Sequence, residues 1–77
     1  MKDLVMFIAQ AVVEHPDQVQ VKEIPGEDGT QQLELSVAKA DMGRIIGKNG
    51  RVIQSIRSIA FAMARKEKRR VKITLVD

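Results

Sequence analysis

The sequence predicts a small α+β domain in which three helices pack on one face of a three-stranded mixed sheet. Three observations lead to this fold: amphipathic periodicity near the N-terminus, three short segments of alternating apolar and polar residues, and a long helical pattern before the last of them. The predicted order is helix, strand, strand, helix, helix, strand. A chain of 77 residues has room for one hydrophobic core, so we expect a single domain over residues 1–77.

The first helix is predicted over residues 2–14. Pro16 disfavours helical geometry at the residue before it, so the helix should end near Glu14. The apolar run over residues 4–9 is shorter than the core of a secretory signal, about 7–15 residues, which favours a helix over a cleaved leader. The positions with the spacing of an amphipathic helix are Leu4, Phe7, Ile8, Ala11 and Val12.

The three strands are predicted from residues that alternate between apolar and polar. A turn cluster over residues 25–29, Pro-Gly-Glu-Asp-Gly, joins the first two strands as an antiparallel hairpin. The last two helices connect the second strand to the third, so these strands should be parallel, with a right-handed crossover. The alternating apolar residues are Val19 and Val21, then Leu33, Leu35 and Val37, and finally Val71, Ile73 and Leu75.

Charge is distributed unevenly along the chain. Residues 1–40 carry three Lys/Arg and seven Asp/Glu, a net of −4, whereas residues 41–77 carry ten and three, a net of +7. The basic half suggests an anionic partner, and nucleic acid is favoured over a membrane surface, although a solvated face is the alternative. Cysteine is absent and only one histidine is present, which excludes disulfides and cysteine- or histidine-rich metal sites. We expect no cofactor, metal, small-molecule substrate or catalysis.

The clearest chemical pattern joins the two crossover helices. Asp41 is placed as the N-cap of a short helix through Ile46, and a longer helix should run from about residue 51 to 66. The loop at 47–50, Gly-Lys-Asn-Gly, lies between them. Its glycines allow a sharp turn and close approach of a phosphodiester, and the following helix directs free N–H groups at the loop. The pattern therefore predicts an anion-binding loop.

A nucleotide-binding P-loop is the main alternative for this segment. That motif requires four residues between its first glycine and a Gly-Lys-Ser/Thr sequence. Here Gly43 and Gly47 enclose three residues, and Asn49 offers no hydroxyl for Mg²⁺. An enzyme that hydrolyses nucleotides is therefore disfavoured.

The run over residues 41–53, D-M-G-R-I-I-G-K-N-G-R-V-I, resembles the KH-domain signature. The whole chain resembles the type II KH arrangement, and its size and motif are similar to the small bacterial single-KH proteins of the KhpA (YlqC) family. The resemblance implies a loop that clamps about four nucleotides of single-stranded RNA. The RNA-binding residues that it implies are Gly43, Arg44, Ile45, Ile46, Gly47, Lys48, Asn49, Gly50, Arg51 and Ile53.

Several of these residues have a second interpretation. Ile45, Ile46 and Ile53 fit core positions better than the floor of a groove. The resemblance implies that the opposite wall of the RNA groove comes from residues 35–37 and from the turn at 25–29. This turn is acidic, so it should contribute little to phosphate binding. The basic run over residues 65–70 is either an additional RNA contact or a solvated turn.

The last predicted helix carries more apolar surface than one sheet face needs. Ile59 and Phe61 are therefore candidates for a contact between two copies or with another KH protein. The resemblance implies a homodimer, a heteromer with a larger KhpB (Jag)-type KH protein, a cytoplasmic location, and a role as an RNA chaperone or post-transcriptional regulator in cell shape and division. The alternative is a protein-interaction adaptor that acts through this helix without binding RNA, against which the intact Lys48 loop argues.

Overall fold

The computed structural model describes residues 1–76 and contains the six predicted elements in the predicted order. Single turns of 3₁₀ helix lie at Pro16–Gln18, Glu27–Gly29, Lys39–Asp41 and Lys48–Gly50. Within the described residues, none of the helices has the length and apolar character needed to cross a membrane. The helices are α1, Lys2–Val12; α2, Met42–Ile46; and α3, Arg51–Lys66. The strands are β1, Gln20–Pro25; β2, Gln31–Ser36; and β3, Val71–Val76.

The sheet is mixed, and β2 is its central strand. β1 pairs with β2 antiparallel, and β3 pairs with β2 parallel. Leu33 lies opposite Ile73 and Leu35 lies opposite Val21, and all four side chains are buried beneath the helices. The residues between them, such as Lys22, remain on the polar face. The prediction of an α+β domain with three helices on one face of a mixed sheet is confirmed.

The helices contribute to the core through different patterns. The stripe that the sequence predicts on α3, at Ile53, Ile56, Ala60 and Ala64, is buried throughout. In α1 the fully buried residues are Val5 and Ala9, whereas Phe7 and Ala11 of the predicted face are exposed. Every residue over 4–9 is apolar, so periodicity did not fix which side of α1 meets the sheet. The small Val5 and Ala9, one turn apart, face the sheet.

The end of α1 also differs from the prediction. The helix ends at Val12 rather than near Glu14, because the N–H of Glu14 donates to the carboxylate of Asp41 instead of continuing the helix. The N–H of His15 donates to the other oxygen of the same carboxylate. Asp41 occupies the predicted N-cap position of α2, but its side chain makes no capping bond to that helix, because both carboxylate oxygens accept from Glu14 and His15. Asp41 joins α1 to α2 instead.

Candidate nucleic-acid interface

The loop between α2 and α3 has a backbone shape that requires its first glycine. Gly47 has φ 76° and ψ 175°, and a Cβ at this residue would lie 2.4 Å from Cγ2 of Val52. Gly50 has φ 74°, and Asn49 has φ 57°, in the left-handed region that asparagine tolerates better than most residues. The side chains of Lys48 and Asn49 are exposed as a result of this tight turn.

The loop carries positive charge that is not neutralised within the domain. The ion pairs in residues 1–76 are Arg44 with Glu14 and Arg69 with Glu67, so Lys48 and Arg51 have no acidic partner in that part of the chain. Both side chains are exposed. No side chain caps the first turn of α3, which begins at Arg51 directly after the loop. The first turn of α3 thus adds a partial positive charge to two full ones.

An apolar groove lies beside α2 and leads to the loop. Its volume is about 680 Å³, and its lining is Val37, Lys39, Met42 and Ile46. Met42 and Ile46 are one helical turn apart and share a face of α2, and Ile46 directly precedes the loop. Lys39 and Met42 were not predicted as site residues. Their signal in the sequence was the four-residue spacing from Met42 to Ile46, together with a lysine three residues before the helix.

The structure separates the predicted isoleucines into two groups. Ile46 is 38% exposed and lines the groove, whereas Ile45 is fully buried and Ile53 is 6% exposed. Ile45 and Ile53 therefore support the loop from the core. Gly43 is exposed, and a Cβ built on it meets no atom within 4 Å, so its surface is open to a ligand.

Arg44 lies away from the groove. At about 100° per residue it is about 160° around α2 from both Met42 and Ile46. Its guanidinium donates to the carboxylate of Glu14, just beyond the end of α1. Both side chains are more than half exposed. The groove lining and Arg44 are therefore on different sides of α2.

The buried carboxylate of Asp41 fixes the start of α2. Asp41 is 1% exposed, and its two oxygens accept the N–H groups of Glu14 and His15, each at 3.0 Å. In residues 1–76 no buried side-chain oxygen or nitrogen lacks a hydrogen-bond partner, so this charge is fully hydrogen-bonded. The segment that leads into the loop is thus tied to α1.

The acidic turn and the basic run lie at the other end of the sheet. The N–H of Gln31, at the start of β2, donates to the carbonyl of Arg70 at 2.9 Å, and Gly26 and Arg70 line one cleft. The 16 residues of α3 separate this end from the loop, about 24 Å at 1.5 Å per residue. The groove lining includes Val37 from the predicted opposite wall but neither of these two loops.

The two candidate contact residues on α3 are exposed but lie on opposite flanks. Ile59 is 46% and Phe61 is 54% exposed, and they are about 160° apart around the helix. Ile59 shares its flank with Met63, which is also exposed. Phe61 lies with Arg57 and Lys72 in a shallow cleft against β3.

The helix–loop–helix with its paired glycines, packed on a three-stranded sheet in this order, defines a type II KH domain. The sequence matches the family described as KhpA/KhpB, KH domain, over residues 2–75. The chain belongs to this family, which confirms the resemblance seen in the sequence.

Three curated relatives match over their whole length. The chain is 49% identical to the RNA-binding protein KhpA of Halalkalibacterium halodurans, with all of both chains covered. It is 47% identical to the RNA-binding protein KhpA of Caldanaerobacter subterraneus, covering 99% of this chain and all of the relative. For the corresponding protein of Clostridium acetobutylicum the identity is 46%, with the same coverage.

Two solved structures of the protein Era share the fold. One is a crystal structure of Era with MgGDPNP and nucleotides 1506–1542 of 16S ribosomal RNA, with a TM-score of 0.67 and 24% identity. The other is a variant of Aquifex aeolicus Era bound to GDP.AlF4-, with a TM-score of 0.68 and 24% identity. In both cases the match covers 96% of this chain and 28% of the Era chain. The likeness shows that the fold also occurs as one part of a larger protein.

Proposed function

We propose that this chain binds single-stranded RNA through the 47–50 loop and the adjoining groove, without catalysis. The observation that carries the proposal is the position of exposed Lys48 and Asn49 between two glycines at positive φ, next to an open apolar groove. Phosphate needs cations and N–H groups, and unstacked bases need an apolar surface. The family and the names of the full-length relatives, RNA-binding protein KhpA, support the same function.

The proposed site assigns different tasks to its parts. Lys48, Asn49 and Arg51 hold the phosphates, and Gly47 and Gly50 set the loop shape. Gly43 lets the RNA backbone approach α2, and Ile46 forms the groove floor with Met42 and Val37. Ile45 and Ile53 support the loop from the hydrophobic core, and Arg44 orients α2 through its ion pair with Glu14.

A single loop of this size clamps about four nucleotides, so affinity and sequence specificity should both be modest. Such binding suits an RNA chaperone or post-transcriptional regulator in the cytoplasm, with the roles in cell shape and division that the resemblance implies. Two copies on one RNA would raise the overall affinity without new contacts. A homodimer or a heteromer with a KhpB (Jag)-type protein through α3 is therefore part of the proposal.

The test is a fluorescence-anisotropy titration with mixed-sequence single-stranded RNA at two salt concentrations. A Lys48→Asp, Asn49→Asp variant should lose roughly tenfold or more in affinity, because phosphate contacts are replaced by repulsion. A Lys22→Asp, Gln20→Asp variant makes the same charge change on the polar sheet face and should stay within roughly threefold of wild type. Circular dichroism must show both variants folded. Equal losses in the two variants would show that binding depends on net charge and not on the loop.

The second candidate function is an adaptor that acts through α3. The exposed Ile59 and Met63 favour it, because they lie one turn apart on the same flank of α3 and form a patch, whereas single exposed apolar side chains such as Phe61 are common. If wild type forms stable complexes with itself or with a KH protein but shows no salt-dependent RNA binding, the adaptor replaces the RNA-binding proposal.

A further inference from the structure

The C-terminal end of α3 is closed by a turn in which a lysine occupies the usual glycine position. The N–H of Lys68 donates to the carbonyl of Arg65 at 3.0 Å, and the N–H of Arg69 donates to that of Ala64 at 2.7 Å. These are the two bonds of a Schellman motif, in which the residue with positive φ is usually glycine. Lys68 has φ 58°. Glycine would end the helix in the same way without this backbone cost, so the end of the helix does not explain why residue 68 is a lysine.

Five cations cluster around this turn, and we call them the distal basic end: Arg65, Lys66, Lys68, Arg69 and Arg70. All five side chains are exposed. Within residues 1–76 only Arg69 of these five forms an ion pair, with Glu67 at 4.0 Å. The nearby acids Glu23, Glu27 and Asp28 belong to β1 and the hairpin turn and pair with none of the five. Arg65 and Lys66 complement the helix dipole, which leaves three cations beyond the helix without that role.

The backbone that carries these cations is held in place. The N–H of Gln31 donates to the carbonyl of Arg70, which fixes the turn to the start of β2. A cleft of about 310 Å³ opens between Arg69 and Arg70 on one side and Glu23, Thr30 and Gln31 on the other. A fixed turn loses little conformational freedom when it binds, which favours a binding role for its side chains.

The surface between the loop and the distal basic end presents no negative charge along α3. Residues 42–66 contain no Asp or Glu. The exposed crest of α3 from Arg51 to Arg65 carries Ser55, Ser58 and Ala62, which are small. A polyanion that leaves the loop along this crest, over about 24 Å, meets neither repulsion from acids nor bulky side chains.

We propose that the distal basic end is a second phosphate-binding site for the same RNA strand that the 47–50 loop holds. The proposal rests on the proposed function of the loop and adds a dependence on RNA length. One footprint of about four nucleotides occupies the loop alone, whereas a longer strand reaches both sites. Among anionic partners, RNA is favoured because the acid-free crest links the two sites.

The test compares two variants with equal charge change against RNAs of two lengths. The first is Lys66→Gln, Lys68→Gly, and the second is Lys2→Gln, Lys22→Gln, which removes two lysines away from α3. Glycine suits the positive φ of residue 68, so the first variant should melt at or above the wild-type temperature. The RNAs are a tetranucleotide and a strand of about 16 nucleotides, four such footprints. Anisotropy gives the affinity, and backbone amide NMR shifts show which residues respond.

For the long RNA we expect the first variant to lose roughly 5- to 20-fold in affinity. The slope of log affinity against log salt should become less negative by about 1.4, or 0.7 for each lost contact. Its affinity for the tetranucleotide should match wild type. Shifts at residues 66–70 should appear with the long RNA only.

Four results would separate failure of the second site from failure of the loop. If the first variant binds the long RNA like wild type, or if the Lys2, Lys22 variant loses as much, the second site is wrong. If the Lys48→Asp, Asn49→Asp variant binds both RNAs normally, the loop proposal itself is wrong. If the long RNA changes the amide NMR shifts of the loop residues only, the charge of the distal basic end acts at a distance and does not form a site.

Discussion

The carboxylate of Asp41 lies 3.0 Å from the backbone nitrogen of His15, 26 residues earlier in the chain. Its other oxygen accepts the N–H of Glu14 at the same distance. The segment that carries the candidate RNA loop is therefore held to the end of α1 by a buried charge, and not only by apolar packing.

Replacing Asp41 with alanine should lower the free energy of unfolding by about 2–4 kcal/mol, because two N–H groups lose a charged acceptor. Asp41→Asn keeps one acceptor oxygen and should cost about 1–2 kcal/mol. Urea denaturation measures both values. Asp17 is exposed, and Asp17→Ala serves as the control, with a change within about 0.5 kcal/mol. An Asp41→Ala protein as stable as this control would show that the two hydrogen bonds contribute nothing.

Two glycines in the site should respond to alanine in opposite ways. Gly43→Ala should raise stability by about 0.5 kcal/mol, since the added Cβ meets open space in a helix. Gly47→Ala should cost roughly 2 kcal/mol or more, because its Cβ collides with Val52 and its φ is positive. Denaturation measures both changes.

RNA affinity tests the role of Gly43 independently of stability. If the RNA backbone approaches α2 there, Gly43→Ala should weaken binding roughly fivefold, about 1 kcal/mol, in a protein that is more stable than wild type. Unchanged affinity would place the RNA elsewhere on α2.

Arg44 and Lys48 should contribute differently to RNA affinity although each carries one positive charge. Lys48→Gln should lower RNA affinity roughly fivefold near 0.1 M salt, as expected for one lost phosphate contact. Arg44→Gln should change it less than twofold and alter stability by at most about 1 kcal/mol, because its partner is Glu14 in an exposed pair. Parallel titrations decide the matter, and equal losses would mean that Arg44 leaves Glu14 to bind RNA.

The two flanks of α3 should not contribute equally to self-association. We expect a homodimer that Ile59→Lys converts to a monomer, because Ile59 and Met63 form a continuous exposed apolar patch. Phe61→Lys should have a smaller effect, since Arg57 and Lys72 border Phe61 and would repel their copies across a twofold axis. Sedimentation equilibrium at several concentrations gives the mass of each variant. A monomeric Phe61→Lys with a dimeric Ile59→Lys would move the contact to the β3 flank.

Most of the fold could be predicted from the sequence because local patterns and packing agree. The buried stripe on α3 follows helical spacing, and β2 and β3 alternate as a half-buried sheet requires. The burial of α1 could not be predicted in the same way, since its apolar residues surround the helix. The end of α1 was misplaced because the acceptor for Glu14 is 27 residues away in the chain, where local rules do not reach.

The sequence predicted only part of the candidate site, because local patterns show some of its residues and not others. The sequence motif showed the loop glycines, Lys48 and Asn49, because their pattern is that of an anion-binding loop. Lys39 and Met42 were missed because the groove forms only when the end of β2 meets the face of α2. The ion pair of Arg44 depends on the position of Glu14 in space, which the spacing of the motif does not give.

The central position of β2 also determines the order in which the domain can assemble. β1 and β2 are joined by a short turn, whereas Gln31 of β2 pairs with Val71, 40 residues later (71 − 31). The entropy lost on closing a loop grows with its length, so the hairpin can form early and β3 docks late in folding. Partial opening of the native domain should therefore release β3 and the end of α3 first. Amide protons in β3 should then exchange faster than those shared by β1 and β2.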